Sequence, residues 1–152
     1  MRLLDAKKIE YRHFEYEGTS DGAAVSGDEV ARLLGEDPEH VFKTLVTEAA
    51  GHKYYVFMVP VCRELNLKAA AKAAGEKKLD MLKARDLLPL TGYVHGGCSP
   101  IGMKKAFPTF IDKSAAGFDT IFFSAGKVGH QVEVAPKDLE KMVRIRYAEI
   151  AE

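Results

Sequence analysis

The 152-residue chain is 47% hydrophobic and carries 22 basic and 22 acidic side chains, enough apolar material for one packed domain but no net charge to mark a dedicated nucleic-acid binder. Its two cysteines, Cys62 and Cys98, are too few for a disulfide scaffold. No stretch has the apolar length of a membrane span, and the first residues lack the apolar core of a secretion signal, so a cytoplasmic protein without a membrane partner is expected.

The charges are nevertheless segregated. Residues 10–40 hold nine acids against Arg12 and Arg32, while residues 63–85 hold seven bases against Glu64, Glu76 and Asp80. Lys104 and Lys105 add to the basic side. Such asymmetry permits a one-sided polyanion footprint, although solvated helix faces account for it equally well.

In chain order, residues 9–17 read as an aromatic-rich strand. Residues 26–35 read as a helix, with Ser26 and Glu29 as a capping box and Gly35 at the stop. Asp37-Pro38 looks like the start of another short helix. Residues 41–48 and 53–60 are two β-prone runs joined as a hairpin. Residues 66–75 predict an alanine-rich helix ending at glycine. After a variable stretch comes the glycine-rich run 96–102, then extended segments at 108–114, 120–125 and 130–136, the last two around a "GKVG" turn. Pro136 opens a final helix over 136–143. With no repeat or linker, the whole of 1–152 is expected to be a single α+β domain: a mixed, largely antiparallel sheet or partly open barrel with flanking helices.

Three features bear on chemistry. Lys43 falls in a strand whose two faces are both mainly apolar, where burial disfavours a charged side chain and suits it to acid–base or electrostatic work; a lysine whose stem packs while its tip reaches water is the plainer alternative. The run "GGCSPIG" needs unusual backbone angles. Its N–H groups could cradle an anion or oxyanion, or it could be a turn without a ligand. Cys98 lacks a recognisable activating base and Ser99 lacks a nucleophile elbow, so neither reads as a nucleophile. No local ligand spacing suggests a metal, and no cofactor motif is present.

Together, "VFKTLV", "TGYVHGGCSPIGMKK", "PTFID" and "SAGKVGHQVEVAP" resemble, in order and spacing, the YbaK/EbsC family of Cys-tRNA(Pro) deacylases, relatives of the editing domain of bacterial prolyl-tRNA synthetases. The resemblance implies a trans-editing enzyme that removes cysteine from the 3′ acceptor end of tRNA(Pro), with prolyl-tRNA synthetase as a partner and no cofactor or metal. It places the key lysine at Lys43 and substrate contacts at Tyr16, Thr44, Gly96, Gly97, Ser99, Pro100, Gly102 and Ser124. Gln131 stands where some members carry an aspartate; its amide is expected to contact and position the substrate but not to act as a base. The resemblance also implies that the substrate's own thiol attacks its ester. The alternatives are a deacylase for alanyl or seryl groups, or a non-catalytic tRNA- or synthetase-associated module.

Overall fold

The computed structural model describes residues 3, 5, 9–15, 27–94 and 97–152. Its strands form two sheets. One has the order β1 (Tyr11–Glu15), β7 (His130–Val134), β6 (Ile121–Ser124), all antiparallel. The other runs β4 (Asp80–Met81), β2 (Phe42–Ala49), β3 (Lys53–Pro60), β5 (Thr109–Asp112), β8 (Ile145–Ala148). Its β4–β2 and β2–β3 pairs are antiparallel, whereas β3–β5 and β5–β8 are parallel. The expected largely antiparallel α+β fold is present as two sheets rather than one, and they are bridged where Val41 pairs with Phe122.

Strand β3 explains this layering. Val56, Phe57, Met58 and Val59 are all fully buried, as an unbroken apolar run in a central strand should be. Met58 joins Phe42 and Ile111 against Phe123, Val132 and Val134 of the smaller sheet. Phe57 and Val59, on the opposite face, pack with Phe110 beneath α2 (Leu67–Ala74). Each such side chain contributes roughly 1.5–3 kcal/mol by leaving water. Helix α1 (Gly27–Leu34) closes a third cluster through Val30 and Ala31 on Val41 and Phe122. Helix α3 (Ala84–Thr91) sets Leu87 against Val46, Val56 and Cys98.

Helix α2 ends as its sequence requires. Asn66 accepts a hydrogen bond from the Ala69 N–H at 3.0 Å, and Gly75 takes a left-handed φ of 76°, which lets the Glu76 N–H reach Ala71 O at 2.8 Å. Other expectations shift. Asp37-Pro38 opens a turn, not a helix, because the Asp37 side chain captures the Glu39 N–H at 2.9 Å. The last helix, α4, stops after Pro136–Leu139, and the chain then adds β8 to the sheet edge. Ser26 of the expected capping box lies outside the described residues. Its expected partner Glu29 accepts from Arg32 Nε at 2.9 Å. No helix among the described residues is long and apolar enough to cross a membrane.

Asp112 fastens the C-terminal segment to this sheet. Its buried carboxylate accepts the N–H groups of Ser114 at 3.2 Å, Ile150 at 3.1 Å and Ala151 at 3.0 Å. Burial alone would push this carboxyl up, but the hydrogen bonds from Ser114, Ala151 and Ile150 outweigh it and hold it below the ordinary carboxylate value. Asp112→Ala should therefore lower unfolding free energy by about 1–3 kcal/mol, measured by urea denaturation at neutral pH. A depressed folded-state value makes this stabilisation complete above the unfolded value of about 3.9, and it is lost as pH falls through the folded value. The gap between wild type and variant should accordingly close in acid; a gap unchanged between pH 7 and pH 3 would refute this role.

Candidate active site

Two pieces of irregular chain meet beside the end of β6. One is the glycine-rich run, described from Gly97; the other is the 125–129 turn of the β6–β7 hairpin, closed by the Ala125 N–H on His130 O and the His130 N–H on Lys127 O. A Cβ on Gly97 would stand 3.1 Å from Val128 N and 3.3 Å from Lys127 C, so only glycine lets these two backbones touch without displacement. Gly102 has a φ of 77°, and a side chain there would also strike the Tyr93 hydroxyl. Tyr93 acts as a strut: its hydroxyl donates to Ile101 O, and its ring lies against Gly126.

The cavity so formed, about 40 Å³, is lined by Leu3, Tyr93, Ser99, Ile101, Phe123, Ser124, Ala125 and Val132. Two sequence-predicted residues, Ser99 and Ser124, thus meet in one place. Both hydroxyls already organise backbone, Ser99 Oγ accepting from Ile101 N–H at 3.2 Å and Ser124 Oγ from Gly126 N–H at 3.1 Å. The Gly97 N–H is likewise occupied, by Val94 O at 3.0 Å. Of the N–H groups that could cradle an anion, those of Gly97 and Ile101 instead hold the loop together. Pro100 is buried beside them, while Gly102 is exposed. Tyr93, Phe123 and Val132 line the cavity without having been marked in the sequence, since an aromatic or valine there reads as ordinary core.

Lys43, Thr44 and Gln131, the other predicted side chains on described strands, do not line this cavity. Ser124 faces Gln131 across the β6–β7 ladder, and Gln131 faces Phe14 on β1. Val41 bridges to Phe122 in parallel, so Lys43 and Ser124 each lie two residues beyond the bridge. Lys43 is not sealed between two apolar layers. Its side chain is 28% exposed, and Nζ lies 3.9 Å from Glu64 Oε2, a carboxylate that is itself mostly in water. Thr44 points to the other face of β2, between Phe42 and Val46, the face on which Ile101 and Cys98 pack. Tyr16 and Gly96 lie outside the described residues. Thr44 Oγ1 and Gln131 Oε1 are buried with no hydrogen-bond partner among the described residues. Such atoms cost about 1–3 kcal/mol each.

Cys98 is buried among Val46, Val56 and Leu87, and desolvation pushes its thiol up to about 12. A thiol so protonated is no nucleophile near neutral pH. The basic residues divide. Arg63 pairs with Glu39 at 3.1 Å, Lys78 lies 3.7 Å from Asp80, and Lys104 Nζ donates to Pro89 O at 3.4 Å. Lys53 joins two surface depressions, one edged by Lys77 and Lys78, the other by His52, Tyr54 and Lys105.

A family model described as the aminoacyl-tRNA editing domain matches residues 21–142. The chain is 42% identical to EbsC of Enterococcus faecalis, a candidate Cys-tRNA(Pro)/Cys-tRNA(Cys) deacylase, over 99% of this chain and 90% of that protein. It is 30% identical to a proline–tRNA ligase of Shouchella clausii over 72% of this chain and 19% of the ligase. Its fold superposes with a TM-score of 0.82 on a candidate trans-editing enzyme for prolyl-tRNA synthetase, at 21% identity, covering 99% of this chain and 93% of the other.

The contrast between the two cysteines gives a direct check. In the native protein at pH 8, a thiol reagent should modify the exposed Cys62 and spare Cys98, with the second thiol appearing only in denaturant. Rapid native labelling of both would show that Cys98 is not enclosed as described.

Proposed function

The chain belongs to the aminoacyl-tRNA editing family, and from that premise we propose that it is a trans-editing enzyme that removes cysteine from mischarged Cys-tRNA(Pro) in the cytoplasm. The observation that carries this reading is the 42% identity to EbsC, which extends over nearly the full length of both chains. Residues 1–152 act as one unit, on the 3′ acceptor end of the tRNA.

The aminoacyl ester is already activated, so the protein's task is to hold it and steady the charge that develops on its carbonyl oxygen. Lys43, free to leave its weak partner Glu64, supplies positive charge at the mouth of the site. Thr44, Gln131 and the 96–102 run position the ester and its amino acid, with Tyr16 and Gly96 as the family pattern places them. The substrate's own sulfur attacks the carbonyl carbon. A sulfur–carbon bond forms, the ester carbon–oxygen bond breaks, and the proton lost by the thiol ends on the released ribose oxygen, giving a thiolactone and free tRNA. This route needs no protein nucleophile, in keeping with the enclosed thiol of Cys98. It also selects by chemistry, because alanine has no attacking group and a serine hydroxyl is a poorer one, whereas binding alone separates such small side chains weakly.

EbsC bears the names of both Cys-tRNA(Pro) and Cys-tRNA(Cys), which supports leaving the choice of tRNA to a partner. Prolyl-tRNA synthetase fills that place, and the similarity to part of a proline–tRNA ligase points the same way. Lys53 is the register partner of Ala49, six residues along β2 from Lys43. At about 3.3–3.4 Å per residue this sets Lys53, which edges the depressions that also hold Lys77, Lys78 and Lys105, roughly 20 Å from Lys43, a reach suited to acceptor-stem phosphates.

With purified Cys-tRNA(Pro), Lys43→Ala should lower kcat/KM by about 100-fold, while folded Cys98→Ala stays within about threefold of wild type. Ala- and Ser-tRNA(Pro) should be cleaved far more slowly than Cys-tRNA(Pro). Full activity in Lys43→Ala, or equal rates on the three substrates, would overturn the mechanism. Binding of uncharged tRNA should weaken steeply with salt, and Lys53→Ala combined with Lys105→Ala should flatten that dependence.

A further inference from the structure

The β1–β7 ladder also assembles a group of side chains that the proposed reaction does not use. Glu15 and His130 are direct register partners, and His13 lies two residues before Glu15, so all three project from the same face, opposite to Phe14 and Gln131. Their ligand atoms lie within 4.8 Å of one another. His13 Nε2 and His130 Nδ1 are 2.9 Å apart, and His130 Nδ1 is 3.8 Å from Glu15 Oε1. The two rings are nearly parallel, at 7°, with centroids 5.1 Å apart. The nitrogens therefore lie between the rings, at a distance at which one ring can donate a hydrogen to the other. Local spacing in the sequence gives no hint of this cluster, because His13 and His130 are 117 residues apart.

We propose that His13, Glu15 and His130 form a binding site for a first-row divalent transition ion of the Zn²⁺, Ni²⁺ or Cu²⁺ class. Two imidazoles and a carboxylate are the mixed nitrogen and oxygen donors that such ions favour, whereas Mg²⁺ and Ca²⁺ call for oxygen ligands. The spacing is suitable. With metal–nitrogen bonds of about 2.0–2.1 Å, two nitrogens at a right angle sit about 2.9 Å apart, and at a tetrahedral angle about 3.4 Å. Ring rotation, not backbone movement, is what the ion requires. Each ring then carries its hydrogen on the distal nitrogen, and both lone pairs turn to the metal. Acid opposes binding, since the ligands must be unprotonated.

The mount is stable and the approach is open. The three residues stand on paired strands, with His13 opposite the buried Val132, while Glu15 is 69% exposed and leaves room for water to complete the coordination shell. Arg12, a cation of the same strand, turns to the opposite face and pairs with Glu133 at 3.3 Å. A bound ion would clip β1 to β7 at the residue preceding Gln131. This inference does not depend on the deacylase reading.

The test is calorimetric titration of Ni²⁺ and Zn²⁺ into the chelator-treated full chain at neutral pH. One site per chain is expected, with affinity at least tenfold lower in Glu15→Ala, no measurable binding in His130→Gln, and none of Mg²⁺ in wild type. Ligand-linked stabilisation should raise the wild-type Tm and not that of His130→Gln. Because a histidine replacement could disturb the ladder, Cu²⁺ broadening of ring-proton resonances in wild type gives a second readout. His13 and His130 should broaden before His40, His52 and His95. Unaltered affinity in Glu15→Ala and His130→Gln, earlier broadening of another histidine, or no binding at tens of micromolar metal would overturn the proposal.

Discussion

The arrangement of this molecule turns on the contact at Val41 and Phe122, where the residue just before β2 pairs with β6 of the other sheet. The Phe122 N–H bonds to His40 O at 3.0 Å, and the Val61 N–H bonds to Val41 O at 2.8 Å, so Val41 is held from both sides. Beyond it the strands part. On the edge away from β3, β2 next meets β4, at Thr47 and Glu48. Lys43 and Thr44 fall within that interval, and Ser124 lies as far past the bridge on β6 as Lys43 does on β2. The two sheets pack face to face and are bridged here, and the candidate residues Lys43, Thr44 and Ser124 follow directly after the bridge on their strands.

The glycine-rich run serves the structure differently from what its composition first suggests. Gly97 exists to let two backbones touch, Gly102 to turn the chain, and Tyr93 to brace both against the hairpin. Cys98 faces inward as a small apolar filler. Cys98 and Ser99 of that run are thus engaged in packing and in loop geometry, and the other polar candidates stand on β2, β6 and β7. Part of the cradle's hydrogen-bonding capacity is used to make the cradle.

How much of this was legible follows from the range of each interaction. Helix α2 and the β2–β3 hairpin could be read directly because their signals are local: Asn66 and Gly75 at the ends of one helix, and two β-prone runs around a short turn. Helix α3 could not, since Pro89 lies inside it and Lys83 offers no side-chain cap. Strands β4 and β8 owe their form to neighbours far away in sequence; Arg146 and Tyr147 are exposed, so no apolar alternation marks β8. Lys43 stood out as a lysine in an apolar strand. That a half-open junction, not a sealed layer, accommodates it depends on where β4 ends and β6 begins, which no local pattern encodes.

Strand β7 shows most plainly how one segment serves several purposes. Val132 and Val134 enter the main core, while Gln131 and Glu133 turn to the face shared with Phe14 and Phe122. His130 opens the strand on the core side, at the rim where the apolar layer ends and water begins. A two-residue period therefore separates packing from site chemistry within five residues, and a shift of one residue in register would exchange them. The same ladder that brings Gln131 beside Ser124 must bring His130 beside Glu15. The histidine cluster and the candidate active site are geometrically linked because both are read off a single register, and any sequence that keeps one with this ladder keeps the backbone placement of the other.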